Sequence, residues 1–124
     1  MADELSVNAL KCHHLVAAGT SADSTLIKAG AGELFGYEHF NCVAALKYLH
    51  YYDKATAPTV GTDVPFMTLV LPFGASSAGF RIAAKWDSGI KFDLGLGMGI
   101  TTTAADTGAT GVTAADVVAN TLYV

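Results

Sequence analysis

The chain has 124 residues, which bounds it to one domain over residues 1–124 with a modest core. It is 52% hydrophobic but only 15% charged, against roughly 25% charged in ordinary soluble domains, so its surface is finished with Thr, Ser, Ala and Gly or is covered in part by a partner. Seven basic residues face eleven acidic ones for a net charge of -4, and Arg81 is the sole arginine, a balance that argues against nucleic-acid binding.

Elements follow in chain order. The opening MADELSVNAL starts acidic and lacks the charged-then-apolar pattern of a secretory leader. Residues 1–10 read as an N-terminal arm. Cys12–Ala17 has strand composition, and GTSADS after it is a turn. Thr25–Ala29 is a short strand closed by Gly30 and Gly32. Glu33–Asn41 is an aromatic-rich strand in which Gly36 marks a bulge. Ala45–Tyr52 fits both a helical and a period-two pattern, and its tyrosines with the following DKATAP turn favour strand.

Residues 53–65 form a loop punctuated by Pro58, Gly61 and Pro65. Phe66–Leu71 is an unbroken apolar run, which predicts a strand buried on both faces. PFGASSAG is a turn. Phe80–Lys85 alternates Phe80, Ile82 and Ala84 with Arg81, Ala83 and Lys85, and Trp86–Gly89 turns.

GIKFDLGLGMGI, residues 89–100, then reads as one long strand. Ile90, Phe92, Leu94, Leu96, Met98 and Ile100 point inward. Its spacing is G-x-G-x-G with no helix after it, unlike a phosphate loop. Each strand glycine costs roughly 0.5–1 kcal/mol against alanine. The bare face at Gly95, Gly97 and Gly99 therefore predicts a close neighbour, either an aromatic side chain or another subunit. The alternative is a strand end that bends into the next loop. Residues 101–115 are small and polar, and Asp116–Val124 is a last strand, with a short helix near Thr113–Val118 as the one reservation. The sum is an all-β chain: an antiparallel β-sandwich or jelly roll of about eight strands. No apolar run reaches the roughly 18 residues of a membrane helix.

Cys12, His14, His39 and Cys42 carry zinc-ligating atoms, but as strand residues His39 and Cys42 point to opposite faces, and half-buried structural roles explain all four better. Two cysteines do not make a disulfide framework, and free thiols fit synthesis in a reducing cytoplasm. Ser76 and Ser77 lie outside any G-x-S-x-G elbow. Asp23, Asp53, Asp63, Asp87 and Asp106 sit mostly in turns, where aspartate caps backbone amides. Phe35, Tyr37, Phe40, Tyr48, Tyr51 and Tyr52 offer a sugar-stacking platform, although their alternation makes most of them core. Neither a catalytic group, a cofactor nor a metal is expected.

Several stretches carry a resemblance. They are His13-His14-Leu15 before a Ser/Thr/Ala turn, the IKAGAG run at 27–32, YDKATAPTVGTDVPFMTLVLP at 52–72, the G-I-x-F strand at 89–92, the TTTAAD loop at 101–106 and a closing strand ending near Tyr123. In this order they resemble a family of small bacteriophage virion structural proteins. The resemblance implies a capsid decoration, or cement, protein. It would be made in the host bacterial cytoplasm, reside in the virion, bind the major capsid protein and assemble as a homodimer or homotrimer. A tail, fibre or adaptor component that binds host glycan is the alternative. The chain departs from the family pattern in placing Phe73 and Gly95, Gly97 and Gly99 where polar residues are expected. Binding surfaces sit on loops held by a rigid scaffold, so the expected contacts are the loop 56–63, with Thr56, Pro58, Thr59, Val60 and Thr62, the loop 101–111, and the glycine face of Gly95, Gly97 and Gly99.

Overall fold

The structure, a computed structural model, describes residues 9–74 and 79–124. Most of the expected N-terminal arm, together with Ser76 and Ser77, lies outside the described residues. The strands are β1 (Lys11–Val16), β2 (Thr25–Ala29), β3 (Gly32–Asn41), β4 (Lys47–Asp53), β5 (Met67–Leu71), β6 (Phe80–Phe92), β7 (Gly95–Thr101) and β8 (Val117–Tyr123). They form two four-stranded antiparallel sheets, ordered β1-β8-β3-β6 and β2-β7-β4-β5.

In each sheet the outer pairings join strands whose numbers add to nine: β1 with β8, β3 with β6, β2 with β7, β4 with β5. The chain is thus doubled once between β4 and β5, and the two-ply ribbon is wrapped into two facing sheets. This is a jelly roll. The ambiguous segment at 45–52 is strand β4, and Gly36 sits at the bulge of β3.

Alternation explains the core. Leu34 of β3, Phe92 of β6 and Val117 and Ala119 of β8 face Leu49 and Tyr51 of β4, Leu71 of β5, and Leu96, Met98 and Ile100 of β7. All are essentially inaccessible to solvent. A polar chain crosses this core. The Asn120 N–H donates to His39 Nδ1 (3.2 Å), so that imidazole carries its proton on Nε2 and donates it to the Tyr51 hydroxyl (2.9 Å). Tyr51 in turn donates to Thr121 Oγ1 (2.8 Å). Buried polar groups persist only when paired in this way. Burial pushes the Tyr51 hydroxyl well above its ordinary range and lowers His39 to about 4, against a weaker opposing effect of the Glu38 backbone.

Four sequence expectations are corrected. Trp86–Gly89 is not a turn but part of β6. The pairs Leu34–Ile90 and Gly36–Lys85 leave these four residues opposite Phe35 alone, a wide bulge into which the Phe35 ring packs against bare Gly89. Residues 90–100 are not one strand, because the chain passes from one sheet to the other at Asp93–Leu94. Leu94 sits on that corner, 58% exposed, instead of pointing into the core. Phe66–Leu71 is not buried on both faces: β5 ends its sheet, and Val70 is 52% exposed. The Thr113–Val118 reservation resolves to a turn, in which the Asp116 carboxylate accepts the Thr113 N–H (3.0 Å) and β8 begins directly after it.

Asp53 makes the corner. As the last residue of β4, its carboxylate accepts the amides of Asp93 (2.9 Å), Leu94 (2.8 Å) and Gly95 (3.3 Å). Slight desolvation works against its ionised form, but the three N–H donors outweigh it and hold the carboxyl below its usual range. Its stabilisation is therefore complete above the ordinary aspartate pKa and fades as pH falls through the lowered folded value. Asp53→Ala is expected to cost about 1–2 kcal/mol, the low end for charged hydrogen bonds because Asp53 is only partly buried. Urea unfolding at neutral pH measures this, and an unchanged midpoint would show that the corner holds without the cap.

Candidate functional site

The outer face of the β2-β7-β4-β5 sheet is where the expected contact residues gather. Every residue of β7 is buried, although only Leu96, Met98 and Ile100 join the core. Gly95, Gly97 and Gly99 face the other way, and the chain's own loops cover them. A Cβ on Gly97 would lie 2.8 Å from Pro58 Cδ, and one on Gly99 would lie 2.5 Å from Val60 Cγ2 and 3.6 Å from the Tyr52 ring. At Gly95 it would run into the Lys54 carbonyl oxygen. The expectation of a close neighbour therefore holds, but its identity is corrected. The roof is Pro58 and Val60 of the same chain, with Tyr52 contributing only at the flank.

The roof is pinned at several points. Asp63 Oδ2 accepts both the Lys54 ammonium and the Thr59 N–H (2.7 Å). The Lys54 hydrogen bond, with Thr59 behind it, holds the Asp63 carboxyl below its ordinary range. The Thr59 carbonyl receives the amides of Thr62 (3.0 Å) and Asp63 (2.9 Å), and the Ser24 hydroxyl donates to the Pro58 carbonyl. The 101–111 loop closes on itself through Thr102 N–H to the Thr110 carbonyl (3.0 Å) and a Thr101–Gly111 bridge. It packs on the first loop where Gly61, at φ +91°, faces Ala109. Both expected contact loops thus form one cap. Beside them Ser21, Ala22 and Asp23 make a left-handed turn, all at φ near +50°, held by the Asp23 carboxylate on the Ala18 (2.7 Å) and Gly19 (3.3 Å) amides. A shallow cleft of about 370 Å³ runs between this turn, Pro58, Val60 and Ala109.

His50 lies under the cap. Thr101 Oγ1 gives its proton to the Thr103 carbonyl (2.7 Å), so it accepts from His50 Nε2–H (2.8 Å). His50 Nδ1 is then left to accept from the Thr68 hydroxyl (2.9 Å). Burial lowers the His50 pKa, while Asp106 and the Thr103 backbone act weakly in the opposite sense. In this arrangement the imidazole is a donor to Thr101, not a base toward it. It joins β4 to β5 and β7 and does not activate a nucleophile.

The expected contacts now separate by depth. Thr56, Thr59 and Thr62 are exposed on the crest of the cap. Val60 is half-buried, and Pro58, Gly95, Gly97 and Gly99 are buried. A partner that touches this face meets the threonines, and the glycines serve to seat the cap. The aromatic residues do not make one platform. Tyr51 is in the core, Tyr52 is beneath the cap, and Tyr37 stacks on His39 with ring centroids 5.0 Å apart. The zinc candidates do not converge either. Cys12 and His14 lie on the outer side of the other sheet, with His14 bonded to Asn120 (2.6 Å), whereas His39 points inward. Both cysteines are free thiols. Among the described residues, no three His, Cys, Asp or Glu side chains gather where they could hold a metal ion.

Sequence reasoning missed the cap because its contacts join segments far apart in the chain. One signal was present: a strand bare on one face and a loop carrying Pro58 and Val60 are complementary in size. A further open groove of about 460 Å³ lies on the outer side of the β1-β8-β3-β6 sheet, along Cys12, Glu38, Arg81, Lys85 and Leu122, and the Arg81–Glu38 ion pair (2.7 Å) spans it. The fold and this site define an eight-stranded jelly roll whose glycine face is roofed by its own loops. No protein-family model matches the chain, and no curated protein or solved structure is similar to it.

Proposed function

We propose that the chain is a non-catalytic bacteriophage virion structural protein, a capsid decoration protein that binds the major capsid protein as a homo-oligomer and stabilises the shell. The observation that carries this reading is the jelly roll itself, an architecture common among viral particle proteins, here with a charge-poor surface. Val64, Val70, Phe73, Phe80 and Leu94 are large apolar residues left between 41% and 74% exposed. Where such residues join into a contiguous patch they mark protein contact, and many identical copies meeting identical sites favour symmetric assembly. The sequence resemblance supports the same reading. The internally bonded cap suits a rigid clamp, because the crest threonines reach a partner without reordering the loop.

Copy number tests it. Quantitative mass spectrometry of purified particles is expected to find hundreds of copies per virion, and imaging to place them on the shell. A handful of copies, located on the tail, would overturn the capsid assignment in favour of a tail or fibre component. Jelly rolls also occur in lectins, so glycan binding is the companion measurement for that outcome.

A further inference from the structure

We infer that the open groove on the outer side of the β1-β8-β3-β6 sheet binds a saccharide that carries a carboxylate, a uronic or sialic acid. The groove begins with two small residues. His39 and Thr121 are fully buried, so alternation turns Glu38 of β3 and Asn120 and Leu122 of β8 outward, together with Arg81, Ala83 and Lys85 of β6. The register sets Asn120, Glu38 and Ala83 in one row and Leu122, Gly36 and Lys85 in the next. Gly36 has no side chain and Ala83 only a methyl, so the face is low where these rows meet, and the hollow of about 460 Å³ lies there. Small-molecule sites have volumes of this order.

Each polar group on the rim keeps a free hydrogen-bonding position. Asn120 Oδ1 accepts the His14 Nδ1–H (2.6 Å), which leaves the Asn120 amide nitrogen to donate. Glu38 Oε2 accepts the Arg81 Nε–H (2.7 Å), which leaves Glu38 Oε1 to accept and the two terminal guanidinium nitrogens to donate. Lys85 has no ion-pair partner among the described residues. Leu122, Cys12 and Ala83 supply apolar surface between these groups. Donors and acceptors around an apolar floor suit a pyranose, whose C–H face packs while its hydroxyl edge bonds. Facing residues on neighbouring strands have Cβ atoms about 5 Å apart, the scale of one ring. Arg81 and Glu38 cancel, so Lys85 leaves the groove one positive charge on a chain of net charge -4. That charge selects an acidic sugar. An extended peptide fits less well, because the groove lies over β8 and β3, each paired on both sides, and offers a backbone no strand edge to join.

NMR titration of the isotope-labelled chain with glucuronate, glucose and acetate tests this. Glucuronate is expected to shift the amides of Glu38, Ala83, Lys85 and Asn120. Glucose and acetate should each bind about fivefold more weakly or worse, since each offers one of the two recognised features. Lys85→Gln should weaken glucuronate about fivefold, the worth of one exposed charge contact, and leave glucose unchanged. Ala83→Leu fills the hollow and should abolish binding of all three. Both side chains are exposed, so the fold is expected to hold, and urea midpoints check it. If Ala83→Leu does not fold, Lys85→Gln decides. Shifts absent from the groove, glucose or acetate equal to glucuronate, or glucuronate binding indifferent to Lys85→Gln overturns the proposal. The cap and this groove lie on the outer faces of different sheets. Saccharide binding is therefore independent of the capsid contact, and copy number alone decides the chain's place in the particle.

Discussion

Gly95→Ala is expected to cost about 3 kcal/mol, the upper end for an overpacked site, from a single added methyl group. The new Cβ would press on the Lys54 carbonyl oxygen and stand 2.8 Å from the Lys28 carbonyl oxygen. Both obstacles are backbone, so neither can rotate aside. Both are also tied to β7: the Lys54 N–H donates to the Gly95 carbonyl (3.2 Å), and Ala29 pairs with Gly95 in the β2 register. Gly99→Ala meets a side chain instead, Val60 Cγ2, and Gly97→Ala meets the Pro58 ring. A side chain or a loop can yield, so these two should cost about 1 kcal/mol. Gly97→Val is expected to lift the 54–63 loop and open it to protease while the two sheets persist. Urea unfolding of the series, with limited proteolysis, tests the order. Equal costs at 95 and 99 would show that the backbone approach at Gly95 is not what holds β7.

Acid is expected to remove about 3 kcal/mol of stability between pH 6.5 and pH 4 through His39 alone. Unfolded, the imidazole titrates at about 6.5. Folded, it stays neutral until about 4, because burial outweighs the one backbone effect that favours its charge. The stabilisation is whole above the unfolded pKa and is lost as pH falls toward the folded one, at about 1.4 kcal/mol per pH unit. His50 and His13 are lowered by burial too, and act in the same direction. Against a total of roughly 5–15 kcal/mol, this is a large share. His39→Gln has no titrating group at that position, so its stability should fall less steeply over the window, from a lower starting value. Urea midpoints at pH 7 and pH 4.5 measure both slopes. Equal slopes for the two proteins would assign the acid sensitivity elsewhere.

Much of the fold is legible as local pattern. Period-two alternation locates β3, β4 and the first half of β6, and Gly36 announces its bulge. The failures share one cause: they depend on residues distant in sequence. Nothing local to GIKFDLGLGMGI marks the corner at Asp93–Leu94, because the group that caps it is Asp53, on another strand. An apolar strand with both faces covered and an apolar strand at an open edge share one composition, which is why β5 reads as interior. The glycine face was legible as needing a neighbour. That the neighbour is Pro58 and Val60 depends on how loop 54–63 folds back, which its own sequence does not show. The His39–Tyr51–Thr121 chain joins three strands and has no sequence signature.

The nested pairing also orders the cost of closing the chain. β4 and β5 are separated by residues 54–66 alone, whereas β3 with β6, β2 with β7 and β1 with β8 each enclose the pair before them. Formed alone, the outer pairs would close loops of most of the chain. Formed after the inner ones, each has only its own connections left to close, and loop entropy makes that sequence cheaper. Even assembled from the inside outward, the nested pairs are non-local contacts, and a topology built of them folds slowly. The segment that starts the zipper is the same one that later roofs β7. A substitution that loosens the cap therefore acts twice, once on the finished surface and once on the first loop the chain must close.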